Sequence, residues 1–115
     1  MSVTIYHNPR CSKSRETLSI IRDAGIEPQV VEYLKTPFTR PQLTQLLADL
    51  AMSPRDAMRT GDDLYKSLGL GDAALSDEQL IDAMVREPAL VNRPIVVSPR
   101  GTRLCRPPAL VNELI

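Results

Sequence analysis

Residues 5–18 read IYHNPRCSKSRETL, and they predict a strand, a loop and the start of a helix in that order. SVTIYH, which leads into the loop, alternates apolar and polar residues in the manner of a strand. Pro9 blocks continuation of that strand, and from about Ser12 the apolar residues recur at helical spacing. Gly25 predicts the helix end, because glycine is common just past helix C-termini.

This arrangement places Cys11 at the start of the helix. A helix N-terminus and nearby cations lower a cysteine pKa from about 8.5 to between about 3.5 and 7.5. Ser12 and Ser14 add hydroxyls for hydrogen bonds to sulfur or to a bound oxyanion. The surrounding cations are Arg10, Lys13 and Arg15. The loop therefore favours a reactive thiolate at Cys11, with an inert loop thiol beside a solvated cationic face as the alternative.

His7 and Cys105 are the only histidine and the only other cysteine. His7 ends the first predicted strand, where it either exchanges protons with Cys11 and tunes it or serves as a structural histidine. Cys105 lies in TRLCR, which we interpret as a strand, so we expect a small buried hydrophobic residue rather than a redox partner. In a reducing cytosol the two cysteines should form no standing disulfide.

The remaining chain predicts further strands on either side of a helical insert at about residues 39–90. In the insert, Thr39 with Gln42 and Ser76 with Gln79 have the spacing of capping boxes. The other predicted elements are the strands QVVEYL, IVVS and TRLCR and the closing helix PPALVNELI. The order β-α-β, helices, β-β-α predicts a single α/β domain over residues 1–115. Its four-stranded mixed sheet should carry helices on both faces.

Composition limits the classes of function. The 14 basic and 14 acidic residues cancel, so we expect no binding to nucleic acid or to a membrane surface. No apolar run approaches the roughly 20 residues of a membrane span, which favours a cytoplasmic protein. A single histidine and no clustered ligands predict no metal site. We expect a monomer.

Three arginines lie next to turns or to the ends of predicted elements, namely Arg59, Arg93 and Arg106. Each alone is typical of a solvated surface residue. If the fold brings them to Cys11, they form a binding site for an oxyanion, because guanidinium groups bind tetrahedral oxyanions well. Pro94, directly before IVVS, is a candidate for a cis peptide bond, which about 5–6% of X–Pro bonds adopt in folded proteins. The sequence alone leaves its isomer open.

Three segments together resemble the glutaredoxin-dependent arsenate reductases, the ArsC family, which have a thioredoxin-like fold. They are IYHNPRCSKSRETL, NRPIVV and GTRLCRPP. The resemblance extends over essentially the whole chain, including the insert. The loop RCSKS, with its Arg10 close to the site, is more basic than in well-characterised arsenate-resistance members and resembles a sister branch.

The resemblance implies roles for individual residues. Cys11 is the nucleophile at the first position of a C-x-x-S motif that ends at Ser14, and His7 is the family's histidine near the thiol. Pro94 is the cis-proline of thioredoxin-like folds. The implied oxyanion-binding residues are Arg59, Arg93 and Arg106.

The resemblance also implies a reaction. Arsenate is reduced to arsenite through the Cys11 thiolate, glutathione is a co-substrate, and glutaredoxin resolves the resulting disulfide. No bound cofactor is implied. A C-x-x-S motif has no second cysteine to resolve the disulfide, which agrees with a resolving thiol supplied by another molecule.

Three other functions remain open at this point. One is a glutathione-linked thiol transferase, or a related redox protein of the same family with a different substrate. Another is an RNA-polymerase-binding redox regulator, although such proteins carry C-x-x-C and this chain has Ser14 in the second position. The third is a cysteine phosphatase, which requires C-x5-R, whereas Thr17 stands at the arginine position.

Overall fold

The structure, a computed structural model, describes residues 2–115. The chain divides into two compact units, one formed by residues up to Thr36 together with Arg93–Ile115, the other by Pro37–Asn92. The predicted insert, about residues 39–90, falls within the second unit. That the whole chain forms one domain stays a prediction.

The first unit contains the sheet. Its elements are β1 (Thr4–His7), α1 (Ser12–Asp23), β2 (Gln29–Glu32), β3 (Ile95–Ser98), β4 (Gly101–Leu104) and a C-terminal 3₁₀ helix (Pro108–Glu113). The strand order is β2-β1-β3-β4. β1 pairs parallel with β2 and antiparallel with β3, and β3 pairs antiparallel with β4. The predicted α/β class and four-stranded mixed sheet are confirmed.

One face of this sheet is packed against α1 and the C-terminal 3₁₀ helix. Side chains alternate across a strand, so Val3 and Ile5 fall on one face, and both are buried. Their apolar cluster also contains Ile21, Val96, Cys105, Val111 and Leu114. The closing element was predicted as a helix and forms i→i+3 hydrogen bonds instead, such as Leu114 N–H to the Val111 carbonyl at 2.9 Å.

Cys105 lies just outside β4, which ends at Leu104, so its predicted place inside the strand was wrong. Its N–H leaves the strand ladder and donates to the Pro94 carbonyl at 2.9 Å. The second residue after it, Pro107, has no N–H to continue a ladder. The predicted burial is nevertheless correct, because Cys105 is 0% exposed.

The second unit is helical. It contains α2 (Arg40–Leu50), α3 (Asp63–Ser67) and α4 (Asp77–Arg86), with 3₁₀ turns at Arg55–Ala57 and Pro88–Leu90. Both predicted capping boxes are present, one at Thr39 and one at Ser76. Helices α2 and α4 contact each other. Their buried residues are Leu43, Leu46, Leu47, Leu80, Ile81 and Met84.

Within residues 2–115, every helix is too short or too polar to cross a membrane.

Candidate functional site

Cys11 is the N-cap residue of α1, as the sequence predicted. Its backbone is extended, with φ of −92° and ψ of 121°. Its N–H donates to the Asn8 carbonyl at 3.0 Å, and its own carbonyl accepts the Arg15 N–H at 3.0 Å. These bonds hold the loop against the first turn of α1 and leave the partly exposed thiol at the positive end of the helix.

The surroundings of the Cys11 sulfur favour the thiolate. Burial raises the pKa of the thiol, but hydrogen bonds from the Ser14 N–H, the Arg93 side chain and the Lys13 N–H outweigh burial. The charge of Arg93 adds to them, so the pKa of Cys11 lies below its ordinary value. The first-turn N–H groups have no partner within a helix, which makes them available to an anion.

The hairpin of β3 and β4 brings two arginines to this thiol. Ile95, two residues after Arg93, pairs with Leu104, two residues before Arg106, and Tyr6 near the end of β1 pairs with Ile95. Arg93 precedes β3 and Arg106 follows β4. Both arginines therefore lie at the end of the sheet where β1 continues into the Cys11 loop.

Arg106 reaches the Cys11 sulfur through a guanidinium nitrogen. Its Nη1 lies 3.9 Å from Cys11 Sγ and donates to the Arg93 carbonyl at 3.1 Å. The Arg93–Pro94 and Arg106–Pro107 peptide bonds are both cis. The sequence left the first of these open and gave no expectation for the second. Two of the three predicted oxyanion arginines thus meet at Cys11.

Ser14 is fully buried and binds His7 rather than sulfur. Its Oγ lies 2.6 Å from His7 Nδ1 in a shared hydrogen bond and accepts the Asn8 N–H at 3.1 Å. The sequence predicted that this hydroxyl serves sulfur or a bound oxyanion, whereas its hydrogen-bond partners here are His7 and Asn8. Ser14 is the third residue of α1 and His7 is the last residue of β1, so the hydrogen bond between them connects the start of the helix to the end of the strand.

His7 is itself buried in the described structure. Burial lowers the pKa of its ring, nearby Glu32 raises it, and the charges of Arg22 and Arg15 lower it further. The net shift is downward, so His7 is neutral at neutral pH. Its Nδ1 is engaged with Ser14, an arrangement that orients the loop.

Arg10, Lys13 and Arg15 extend into solvent. Arg10 contributes its N–H to Asn8 Oδ1 at 3.0 Å, and Arg15 Nη1 donates to the Pro9 carbonyl at 3.0 Å. We predicted that these three charges lower the pKa of Cys11. The contributing groups are backbone N–H groups and Arg93 instead. Solvent screens charges on exposed side chains, which explains the difference.

Arg59 belongs to the second unit. Its Nε donates to Asp62 Oδ2 at 2.6 Å, and its Nη1 donates to Asn92 Oδ1 at 3.4 Å. We expected it at the end of a helix. It instead follows Met58, which forms an isolated bridge with Val91, and its own N–H donates to the Leu90 carbonyl at 2.8 Å.

Cys105 has the opposite environment to Cys11. Burial raises its pKa to about 12, with a smaller upward contribution from Glu113 that the Arg103 charge opposes. Its thiol is therefore protonated at neutral pH, and both cysteines are free. Among residues 2–115, no three His, Cys, Asp or Glu side chains are grouped to hold a metal ion.

Residues 6–114 match the sequence model of the ArsC family. The arsenate reductase of Rhizobium meliloti (strain 1021) is 53% identical over 115 residues, covering all of this chain and 82% of that protein. The uncharacterized protein YfgD of Escherichia coli (strain K12) is 54% identical over 98% of this chain and 96% of its own length. The solved arsenate reductase from Vibrio cholerae superposes with a TM-score of 0.96 at 48% identity, covering 100% and 98% of the two chains.

Proposed function

We propose a function for this chain from one premise: it belongs to the ArsC family. It is an oxidoreductase with a thioredoxin-like fold that reduces arsenate to arsenite through Cys11. Glutathione is the co-substrate and glutaredoxin the final reductant. The observation that carries the proposal is a thiol of lowered pKa at the start of α1, with Arg106 at 3.9 Å and a hydrogen bond from Arg93.

Arsenate is a tetrahedral dianion near neutral pH, and Arg93 and Arg106 suit it chemically. Guanidinium groups donate paired, charge-assisted hydrogen bonds to such oxyanions. Their position beside Sγ orients arsenic toward the thiolate, which lowers the entropic part of the barrier. A role for Arg59 in the same binding remains a prediction from the family resemblance.

The Cys11 thiolate attacks arsenic, and one arsenate oxygen leaves as water after taking up protons, which gives a sulfur–arsenic(V) bond. A glutathione thiolate then attacks the Cys11 sulfur. The sulfur–arsenic electron pair stays on arsenic, so arsenic(V) becomes arsenic(III) and Cys11 forms a mixed disulfide with glutathione. The thiolates of Cys11 and glutathione together lose two electrons as they form the disulfide, and arsenic gains both.

The mixed disulfide requires a thiol from outside the chain. Ser14 occupies the position that a resolving cysteine takes in C-x-x-C proteins, and its hydroxyl is bound to His7. Cys105 is 0% exposed and protonated at neutral pH, so it cannot supply an attacking thiolate. Glutaredoxin therefore restores Cys11.

We place the reaction in the cytoplasm, where the glutathione pool is reduced, and expect a monomer.

The test is a coupled assay of arsenate-dependent electron consumption, with glutathione, glutaredoxin and thioredoxin added singly and in combination. We expect sustained turnover only when glutathione and glutaredoxin are both present. Full turnover with thioredoxin alone would contradict the proposal. A parallel assay with a glutathionylated peptide and no arsenate separates this activity from a thiol transferase, which would act on the peptide at least as fast.

A further inference from the structure

Cations of the first unit that lie away from Cys11 are largely neutralised by acids. Three of them form ion pairs on the surface of this unit. The pairs are Arg22 with Glu27 at 3.0 Å, Lys35 with Glu32 at 3.7 Å, and Arg103 with Glu113. Of the four exposed cations away from Cys11 in this unit, three therefore have a carboxylate partner, and the fourth, Arg100, donates to the Ile115 carbonyl at 3.2 Å.

Three exposed cations close to Cys11 in the sequence have no carboxylate partner. Arg10, Lys13 and Arg15, which we call the cationic collar, form no ion pair with any acid of residues 2–115. The whole chain has 14 basic and 14 acidic residues, so the collar is a local excess rather than a reflection of net charge. A concentrated positive field at one surface attracts an anionic partner.

The described function leaves the collar unused. The thiolate is stabilised by backbone N–H groups and Arg93, and Arg106 also lies beside the sulfur. Arsenate is small enough to be held by these groups alone. The collar side chains are exposed, so a ligand that arrives from solvent can contact them.

The geometry of α1 indicates the size of that ligand. Successive helix residues turn by about 100°, so Lys13 and Arg15, two residues apart, project about 160° from each other around the axis. Arg10 lies before Cys11 in the loop, whereas the other two follow it. The cations therefore flank Cys11 in the chain and project from more than one side of the start of α1. Glutathione, with two carboxylates, reaches one side of such a collar, whereas a protein surface covers all of it.

We propose that the cationic collar docks the acidic face of the dithiol protein that reduces the mixed disulfide on Cys11. This inference rests on the proposed function only for the identity of that protein as a glutaredoxin. Long-range attraction raises association rates by about 10- to 1,000-fold. It suits a complex that must form and separate in every catalytic cycle, because rim charges act mainly on the association rate.

The step itself is a thiol–disulfide exchange. The glutaredoxin thiolate attacks the glutathione sulfur of the mixed disulfide, and Cys11 leaves as a thiolate. The products are free Cys11 thiolate and a glutaredoxin–glutathione disulfide, so one sulfur–sulfur bond forms as one breaks. The lowered pKa of Cys11 makes it a better leaving group than an ordinary cysteine.

The test begins from mixed disulfide made directly with oxidised glutathione, so it needs no arsenate. Two reductants are compared: a glutaredoxin with acidic residues around its redox cysteine, and the same protein with those acids changed to amides. The variants are Arg10→Glu and Lys13→Glu, with Lys66→Glu in α3 as the control of equal charge change. Lys66 is also exposed and outside every ion pair of residues 2–115. Each second-order rate constant is divided by the same variant's rate with dithiothreitol, a neutral dithiol.

With the acidic glutaredoxin, this ratio should fall about tenfold in the collar variants and stay within twofold of wild type in Lys66→Glu. Salt should slow the wild-type reaction, and the amide form should be slow with every variant. Equal ratios in Lys13→Glu and Lys66→Glu would overturn the proposal. So would an equal loss with free glutathione, since the collar would then recognise the tripeptide's carboxylates. Loss of arsenate turnover in the wild type would count against the proposed function alone.

Discussion

Cys11 and Cys105 have the same side chain and lie in the same unit, but their pKa values move in opposite directions. Both have an arginine beside them in sequence, Arg10 for the first and Arg106 for the second. The guanidinium of Arg106 nevertheless lies 3.9 Å from the sulfur of Cys11, 95 residues away. Reactivity therefore depends on which groups point at sulfur, and neighbours in sequence are a poor guide to them.

The largest expected effect separates the two thiols directly. Cys11→Ser should reduce arsenate turnover to the rate without enzyme, because a serine hydroxyl is neither ionised at neutral pH nor able to form a disulfide. Cys105→Ser should keep most of the turnover and lose some stability, since a buried hydroxyl needs a hydrogen-bond partner. The coupled glutaredoxin assay measures both. Inactivity of a folded Cys105→Ser protein would make Cys105 a redox partner.

The next largest effect tests whether Arg93 and Arg106 account for the difference in reactivity between Cys11 and Cys105. Arg93→Ala and Arg106→Ala should each lower kcat/KM for arsenate by about ten- to a hundredfold, because a charge-assisted hydrogen bond is worth about 1.5–3 kcal/mol. Arg93→Ala should also raise the pKa of Cys11. The thiolate is the reactive form, so the rate of this variant should recover as the pH increases.

Arg100→Ala is the matched control for these variants. Arg100 lies in the same unit and donates to the Ile115 carbonyl at 3.2 Å. Its loss should leave kcat/KM for arsenate near the wild-type value, and thermal stability should change little in all three variants. If Arg93→Ala and Arg106→Ala match Arg100→Ala in activity, the oxyanion binds elsewhere.

A smaller effect concerns the loop that presents Cys11. Ser14→Ala removes the acceptor of the Asn8 N–H and the partner of His7. Leaving buried polar groups unsatisfied costs about 1–3 kcal/mol, which should appear in the free energy of unfolding measured with urea. Ser19→Ala, an exposed serine on the same helix, should cost far less. Equal values for the two variants would show that Ser14 does not hold the loop.

The smallest effect belongs to Cys105 and depends on pH. Its folded pKa, about 12, exceeds the ordinary value of 9.0, so its contribution to stability is complete below pH 9 and is lost as the pH rises toward 12. At pH 10 the loss should be about 1 kcal/mol relative to neutral pH. Urea unfolding of wild type and Cys105→Ala at pH 7 and 10 measures it. An identical pH dependence in both proteins would contradict the buried neutral thiol.

Much of the fold follows from local signals in the sequence. Thr39 and Ser76 cap their helices as their spacing predicts, and Gly25, with φ of 81°, stands just past the end of α1. These features depend on residues within one turn of each other. The end of β4 was misplaced because Cys105 directs its N–H to Pro94, a partner that no local pattern reveals.

The candidate site was predicted less completely, for the same reason. The place of Cys11 at the helix start is a local property and was correct. The contact between the Ser14 hydroxyl and His7 was not predicted, because His7 approaches it only when α1 folds back on β1. The groups that lower the pKa of Cys11 include Arg93, which the chain brings back from 82 residues away, as the numbering shows. The charges of the exposed cations that lie near Cys11 in the sequence are not among these groups.

The most direct test of the central claim, that Cys11 alone carries the chemistry, is mass spectrometry of the reduced protein after incubation with arsenate and glutathione. Without glutaredoxin the mixed disulfide should accumulate. We expect one glutathione per chain, located on the peptide containing Cys11, with Cys105 unmodified and no adduct when arsenate is omitted. Glutathione on Cys105, or a Cys11–Cys105 disulfide in place of the mixed disulfide, would contradict it.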